Sequence, residues 1–314
     1  MHPAYSVIVF TTASGMGYGL LALLGLVGAA HGPASNWWFA ATCLAVAFAL
    51  IGVGLLSSTA HLGHPERAWR ALSQWRSSWL SREGVAAIVT FAPGLAFGWA
   101  WLDPDADPYL LGFLGLATLA LSAVTVACTG MIYQSLATIR HWHHPLVTPI
   151  YLAFALATGS ALLMAIAEIF GRGQVVLSTI TAASLVLVLV LKRLWWRAVD
   201  RDPGRFTMGD ATGLGTLGEV RQWEVPHTAG NFVMNEMGYR IARKHAEKLR
   251  RLVAAGLVLA LALSLVAFTG IKALAIPAAV VAAATAYAAA FLERWLFFAE
   301  ARHVVGLYYG APRA

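Results

Sequence analysis

The residues best suited to chemistry gather where two apolar runs meet. His61 closes the second of eight such runs and Glu83 opens the third. If those runs are antiparallel neighbours, both side chains stand at the same membrane face. An imidazole with a pKa near neutrality can bond an oxygen and take its proton. A carboxylate beside it can relay that proton to water. This pair at the acyl–headgroup boundary suits a quinol, whose ring enters laterally from lipid and whose hydroxyl protons need an acceptor as electrons leave. Plainer readings stay open. Glu83 follows Ser81, a good N-cap, so it could simply favour the positive end of the third helix. His61 could cap the second, and the surrounding Trp and Arg residues match interfacial anchors.

Other polar residues fall on the same face. The fourth run ends in Thr129-Gly130-Met131-Ile132-Tyr133-Gln134. Tyr133 could donate to a quinone carbonyl, and it could equally be a belt tyrosine. Arg140-His141-Trp142-His143-His144 follows at once. Haem is a second reading of these histidines, although bis-His haem usually wants ligands inside facing helices. Zinc is weaker, because no cysteine or acid completes a tetrahedral spacing. Gly213-Leu214-Gly215-Thr216-Leu217-Gly218 matches a dinucleotide fingerprint in form but lacks the βαβ unit that motif needs. Glu168, Lys192, Glu293 and Arg294 fall near run ends, where snorkelling explains them. No run centre carries an ionisable group, which argues against a proton pump or ion-coupled transporter. Glycines at 15, 17, 19, 52 and 54 read as close helix packing.

The elements that must position these residues are set by composition. The chain has 314 residues, 59% of them apolar and 12% charged, with a net charge of +7. A sequence like this cannot cover its apolar side chains with polar ones, so a water-soluble globule is excluded. Two cysteines exclude a disulfide scaffold. A bilayer core of about 30 Å needs roughly 20 apolar residues per helix. Eight runs qualify: 7–30, 36–60, 84–102, 109–134, 147–169, 174–194, 251–270 and 274–298. The first is too long, and lacks the basic flank, for a cleaved signal. The expected fold is an all-α polytopic membrane protein, 1–314 forming one membrane domain of eight transmembrane helices in two four-helix bundles. Twenty of the 22 basic residues fall in one alternating set of loops and ends. Short basic loops stay cytoplasmic, so both termini and the long 195–249 loop are expected in the cytoplasm. That topology accounts for the +7 and leaves no argument for nucleic-acid binding. With no soluble catalytic domain, any redox work requires a partner that carries the metal centres.

Several stretches carry a family resemblance: His2-Pro3-Ala4-Tyr5-Ser6-Val7 with Phe10-Thr11-Thr12, His61-Leu62-Gly63 with Pro65, Ser78-Trp79-Leu80-Ser81-Arg82-Glu83, and Asn235-Glu236-Met237-Gly238-Tyr239-Arg240 with Ala242-Arg243-Lys244-His245. The chain resembles the membrane-anchor subunit of dimethyl sulfoxide reductase-type molybdoenzymes (DmsC-type), within the polysulfide/nitrite reductase anchor superfamily. The resemblance implies an anchor without haem or metal of its own, docked to an iron–sulfur subunit that is bound to a molybdopterin catalytic subunit. It implies a quinone (ubiquinone or menaquinone) site at His61 and Glu83, with Trp79 and Arg82 from the same motif and Tyr133 as a less secure match. Docking residues implied are Arg67, Arg70, Trp75, Arg76, Arg140, His141, Arg243 and Lys244. With docking loops in the cytoplasm of a bacterial inner membrane, the chain looks most like the anchor of the sulfite-oxidising (sulfite:quinone) branch. An anchor that oxidises quinol for a sulfoxide reductase, a haem-b carrier and a solute transporter are the alternatives.

Overall fold

A computed structural model describes residues 5–59, 64–202, 204, 206–224, 245–267, 269, 271–309 and 313. Among them eight helices are long and apolar enough to cross a bilayer. They are α1 (Tyr5–His31), α2 (Trp37–Thr59), α3 (Trp79–Leu102), α4 (Pro108–Gln134), α5 (Val147–Ile169), α6 (Val175–Asp200), α7 (Ala246–Ala267) and α8 (Lys272–Glu300). No strand is present among the described residues. The connections hold a 3₁₀ helix, Pro65–Gln74, and a short helix, Met208–Thr212.

Helix α1 is the hub, in contact with α2, α4 and α5. Helix α5 in turn touches α4, α6 and α8, and α7 lies against α6 and α8. Close approach here depends on residues without side-chain bulk. A Cβ added at Gly19 would overlap the Ala155 carbonyl, and one at Gly159 would overlap the backbone of Gly19. Gly25 and Gly115 meet in the same way between α1 and α4, each against the other's carbonyl. The packing reading therefore holds at Gly17, Gly19 and Gly54. Around Gly15 and Gly52 a Cβ meets nothing within 4 Å. Gly19→Ala is thus expected to destabilise the helix bundle by about 1–3 kcal/mol, the usual cost of overpacking. Gly52→Ala is expected to be neutral or slightly stabilising. Thermal unfolding of the two variants in detergent checks the contrast; equal melting temperatures would refute it.

Several boundaries run past the hydrophobic edges. Helix α3 starts at Trp79 rather than at residue 84, because Ser78 is its N-cap and accepts from the Ser81 amide. Ser81 is therefore not the cap. Its hydroxyl donates to the Ala71 carbonyl and ties the 3₁₀ helix to α3. Helices α6 and α8 extend to Asp200 and Glu300, and α7 begins already at Ala246. Charged residues are sound helix formers, and here they are cross-linked. Arg250 bonds Asp200 at 2.8 Å and Glu300 at 2.7 Å, joining α6, α7 and α8 at one end.

Within α1 the backbone widens into a π turn over Phe10–Ser14. Its hydroxyls bond back along the chain, Thr12 to the Ile8 carbonyl at 2.7 Å and Ser14 to that of Phe10 at 2.6 Å. Such turns disturb the regular ladder and recur at functional sites. This one borders the cavity described next.

Candidate functional site

Glu83 stands in the second turn of α3, and its helical position turns it into the protein rather than toward the loop. Its carboxylate is 4% exposed and accepts a short hydrogen bond from the Thr129 hydroxyl of α4. Four positions separate it from Trp79, the first residue of α3, so stabilising the N-terminal dipole does not account for it; that effect fades within one turn. Two turns deeper, Thr90 and Thr125 join the same two helices at 3.0 Å.

Thr129 also lines a narrow internal cavity of about 20 Å³, formed by α1, α4, α5 and α8. A cavity of that size has room for about one water molecule. Its polar lining comprises Thr11, Thr12 and Ser14 of the π turn with Tyr151, Thr158 and Arg294. Met16, Val126, Phe154 and Ala290 supply apolar wall. A buried carboxylate reached through one hydroxyl, beside a narrow cavity with several donors, makes a setting for proton exchange.

Arg294 belongs to a buried ion cluster. Lys192 Nζ lies 2.6 Å from Glu293 Oε1, and Arg294 Nε lies 2.6 Å from Glu293 Oε2. The three side chains are 1%, 0% and 4% exposed. Snorkelling does not describe them. Once α6 and α8 extend to residues 200 and 300, these positions sit two turns inside the helices and face each other. The cations rest on rings: Lys192 Nζ is 3.8 Å from the Trp195 centroid and the Arg294 guanidinium 3.9 Å from that of Tyr151. Two of the twenty basic residues counted on one face are therefore buried within the helix bundle.

The other expected site residues divide. Tyr133 does not belong to an interfacial belt. It stacks on Tyr151 at 5.7 Å and meets Trp142, Phe297 and Phe298 edge-on, plugging the bundle beside the cavity. Trp79 and Arg82 are close to Glu83 in sequence but turn the other way. Arg82 lies over the Trp79 ring at 4.3 Å and donates to the carbonyls of Trp75 and Arg76, fastening the loop. His61, Arg243 and Lys244 lie outside the described residues, so the expected meeting of His61 with Glu83 is not seen here.

Of the docking candidates, Arg67, Arg70, Trp75 and Arg76 are exposed along the 64–78 connection. Arg140 is held by Asp202 at 2.7 Å. His141 Nδ1 lies 2.9 Å from the Glu300 carbonyl oxygen. These two fasten the 135–146 connection to α6 and α8, helped by Trp142 and Trp195, whose indoles donate to the carbonyls of Phe297 and His141.

Thr129, Tyr151 and the Lys192–Glu293–Arg294 cluster are not among the expected site residues. The last has a legible signal: three ionisable residues in two apolar helices, which membrane energetics marks as functional unless a helix end rescues them.

Comparison with known proteins agrees with the motif resemblance. The model of the DMSO reductase anchor subunit (DmsC) family matches residues 1–197. The sulfite dehydrogenase C subunit of Allochromatium vinosum is 35% identical, across 98% of this chain and 99% of its own length. Two Escherichia coli proteins match more locally. YnfH, an anaerobic dimethyl sulfoxide reductase chain, is 34% identical over 37% of this chain and 41% of its own. The C chain of anaerobic dimethyl sulfoxide reductase is 27% identical over 46% and 52%. With a family match over more than half its length and a relative aligned from end to end, the chain belongs to the DMSO reductase anchor subunit (DmsC) family.

Proposed function

We propose that this chain anchors a molybdopterin/iron–sulfur oxidoreductase in the bacterial inner membrane, binds quinone at the cytoplasmic boundary beside Glu83, and passes electrons between the quinone pool and a docked iron–sulfur subunit. The observation that carries the reading is the buried Glu83 carboxylate, bonded to a hydroxyl that lines a narrow internal cavity with a mixed polar and apolar wall. Bound quinone supplies two-electron, two-proton chemistry. The chain's part is to exclude water, orient the ring and move protons. Thr129 connects the cavity wall to Glu83, which takes up or returns a proton as the ring oxygen changes charge. His61 is the expected companion base.

Similarity over full length to a sulfite dehydrogenase subunit favours sulfite oxidation, with electrons running into the quinone pool. In that direction Glu83 delivers protons; in a sulfoxide reductase it would accept them. The basic excess places the 64–78, 135–146 and 201–224 connections in the cytoplasm, where the exposed Arg67, Arg70, Trp75 and Arg76 meet the iron–sulfur partner. Lipid covers the apolar outer faces of the helices. Purifying the chain with its natural partners tests this. Mass spectrometry is expected to find iron–sulfur and molybdopterin subunits, and the complex is expected to reduce a ubiquinone analogue with sulfite. Purification without such partners, or with haem absorbance from this chain, would refute the reading.

A further inference from the structure

A larger pocket, of about 310 Å³, opens at the end of the bundle remote from Glu83. Five spans contribute to it where they end or begin: Leu24 of α1, Phe39 of α2, Trp101 of α3, Leu163 of α5 and Leu177 of α6. The volume falls within the ~300–1,000 Å³ usual for small-molecule sites. The connections that frame it turn at Gly32 and Gly171, whose φ angles are 77° and 65°. They bring Arg172, His31, Ser35 and Gln174 to the same pocket, and no carboxylate lines it.

Arg172 supplies the charge. Its Nη1 donates to Ser35 Oγ at 2.8 Å, and no carboxylate among the described residues pairs with the guanidinium. Glu168 is packed instead against Gly173, where a Cβ would overlap its carboxylate, and it does not line the pocket. The guanidinium lies 5.7 Å from the Phe39 ring centroid. Serine and ring thus hold the fork in place and leave its Nε–Nη2 edge for an anion with two oxygens. With no acid to receive an ammonium group, a net negative headgroup suits the lining better than a zwitterionic one. A small soluble anion would leave the apolar walls in water; an amphiphile covers them. The level is also that of headgroups. Trp37 and Trp38, exposed at the start of α2, are placed as interfacial anchors, and exposed Ile169, Val175 and Val176 continue the apolar surface toward lipid.

We propose that this pocket binds one anionic phospholipid of the leaflet opposite the docking face, with phosphatidylglycerol as the fitting headgroup. Arg172 takes the phosphate oxygens, Gln174 and His31 offer further polar contacts, and the upper part of one acyl chain covers Phe39, Trp101 and Leu177. Basic pockets between transmembrane helices bind anionic headgroups by the same combination of charge and apolar wall. Arg172 and Lys272 are the two basic residues assigned to this face by the charge count, and only Arg172 lines the pocket.

The test uses the intact complex in phosphatidylcholine nanodiscs doped with a photoactivatable phosphatidylglycerol, with labelled peptides mapped by mass spectrometry. Label is expected in the segments 24–39 and 163–177. Arg172→Gln is expected to reduce labelling there about tenfold or more, the range for losing a charge-assisted hydrogen bond. Lys272→Gln removes the other cation of that face, which does not line the pocket, and is expected to leave labelling unchanged. Unlabelled phosphatidylglycerol should compete and extra phosphatidylcholine should not. Equal losses in the two variants would overturn the proposal by reducing it to general surface charge. Competition by inorganic phosphate would replace the lipid by a soluble anion, and competition by decylubiquinone would replace it by a quinone; either overturns the proposal. The wild-type map needs no variant to fold: label confined to other segments would overturn it as well.

Discussion

Replacing Glu83 with glutamine is expected to lower quinone-coupled turnover by about 10²–10³-fold, the usual worth of a positioned proton-transfer group. Assembly should survive. Glutamine has the same shape, and its amide oxygen can still accept from Thr129, the contact that links α3 to α4 beside the cavity. What it loses is the capacity to hold a proton and release it. The complex should therefore still oxidise its substrate with a soluble one-electron acceptor that bypasses the membrane, while reduction of a ubiquinone analogue collapses. The ratio of the two rates is the decisive measurement. Wild-type coupled turnover in Glu83→Gln, with a normal yield of complex, would remove Glu83 from the mechanism and leave it as a helix-packing group.

The second large effect concerns stability, and its size depends on charge balance. Glu293 lies between Lys192 and Arg294, and all three are buried. Removing one partner from a buried ion pair costs about 3–5 kcal/mol, because the remaining charge is stranded. Glu293→Gln strands two cations close together and is expected to fall in that range. Lys192→Met has a different outcome. It leaves Glu293 and Arg294 as a neutral pair and replaces the lysine stem with an apolar chain of similar length. Substituting buried ionic groups by apolar ones is often close to neutral, so about 1 kcal/mol or less is expected. Thermal unfolding of both variants in the same detergent ranks them. Equal losses would show that the lysine contributes through its packing on Trp195 rather than through charge.

Glu83 is legible in the chain itself, because a carboxylate at the start of an apolar run is visible in one dimension. Its partner is not. Thr129 is 46 positions away, and threonine in an apolar helix carries no signal of whom it will meet. Tyr133 is legible as a polar aromatic near a boundary, yet a belt residue and a plug residue have the same sequence context. The ring contacts with Trp142, Tyr151 and Phe298 decide between them. Arg82 shows the converse: adjacency to Glu83 suggests a shared site, but successive helix positions point about 100° apart, and Arg82 serves the loop.

Composition alone sets the solvent and the scale of the architecture. A bilayer of fixed thickness demands apolar runs of a fixed length, so counting apolar residues locates eight spans to within a turn or so at most boundaries. The sidedness of charge and the family are likewise written in local composition and short motifs. What the polar residues do inside the bundle is settled in three dimensions. Lys192 and Glu293 are about a hundred positions apart in sequence, and each alone looks like a side chain that could reach an interface. Their meeting depends on where α6 and α8 end and which faces they turn to each other. Helix ends past the apolar edge are set by caps and cross-links such as Ser78 and Arg250, and facing is set by glycines that let backbones touch. Neither is a property of a single run. A buried charge is tolerable only when its partner arrives from elsewhere in the fold, so spacing along one helix could not reveal it.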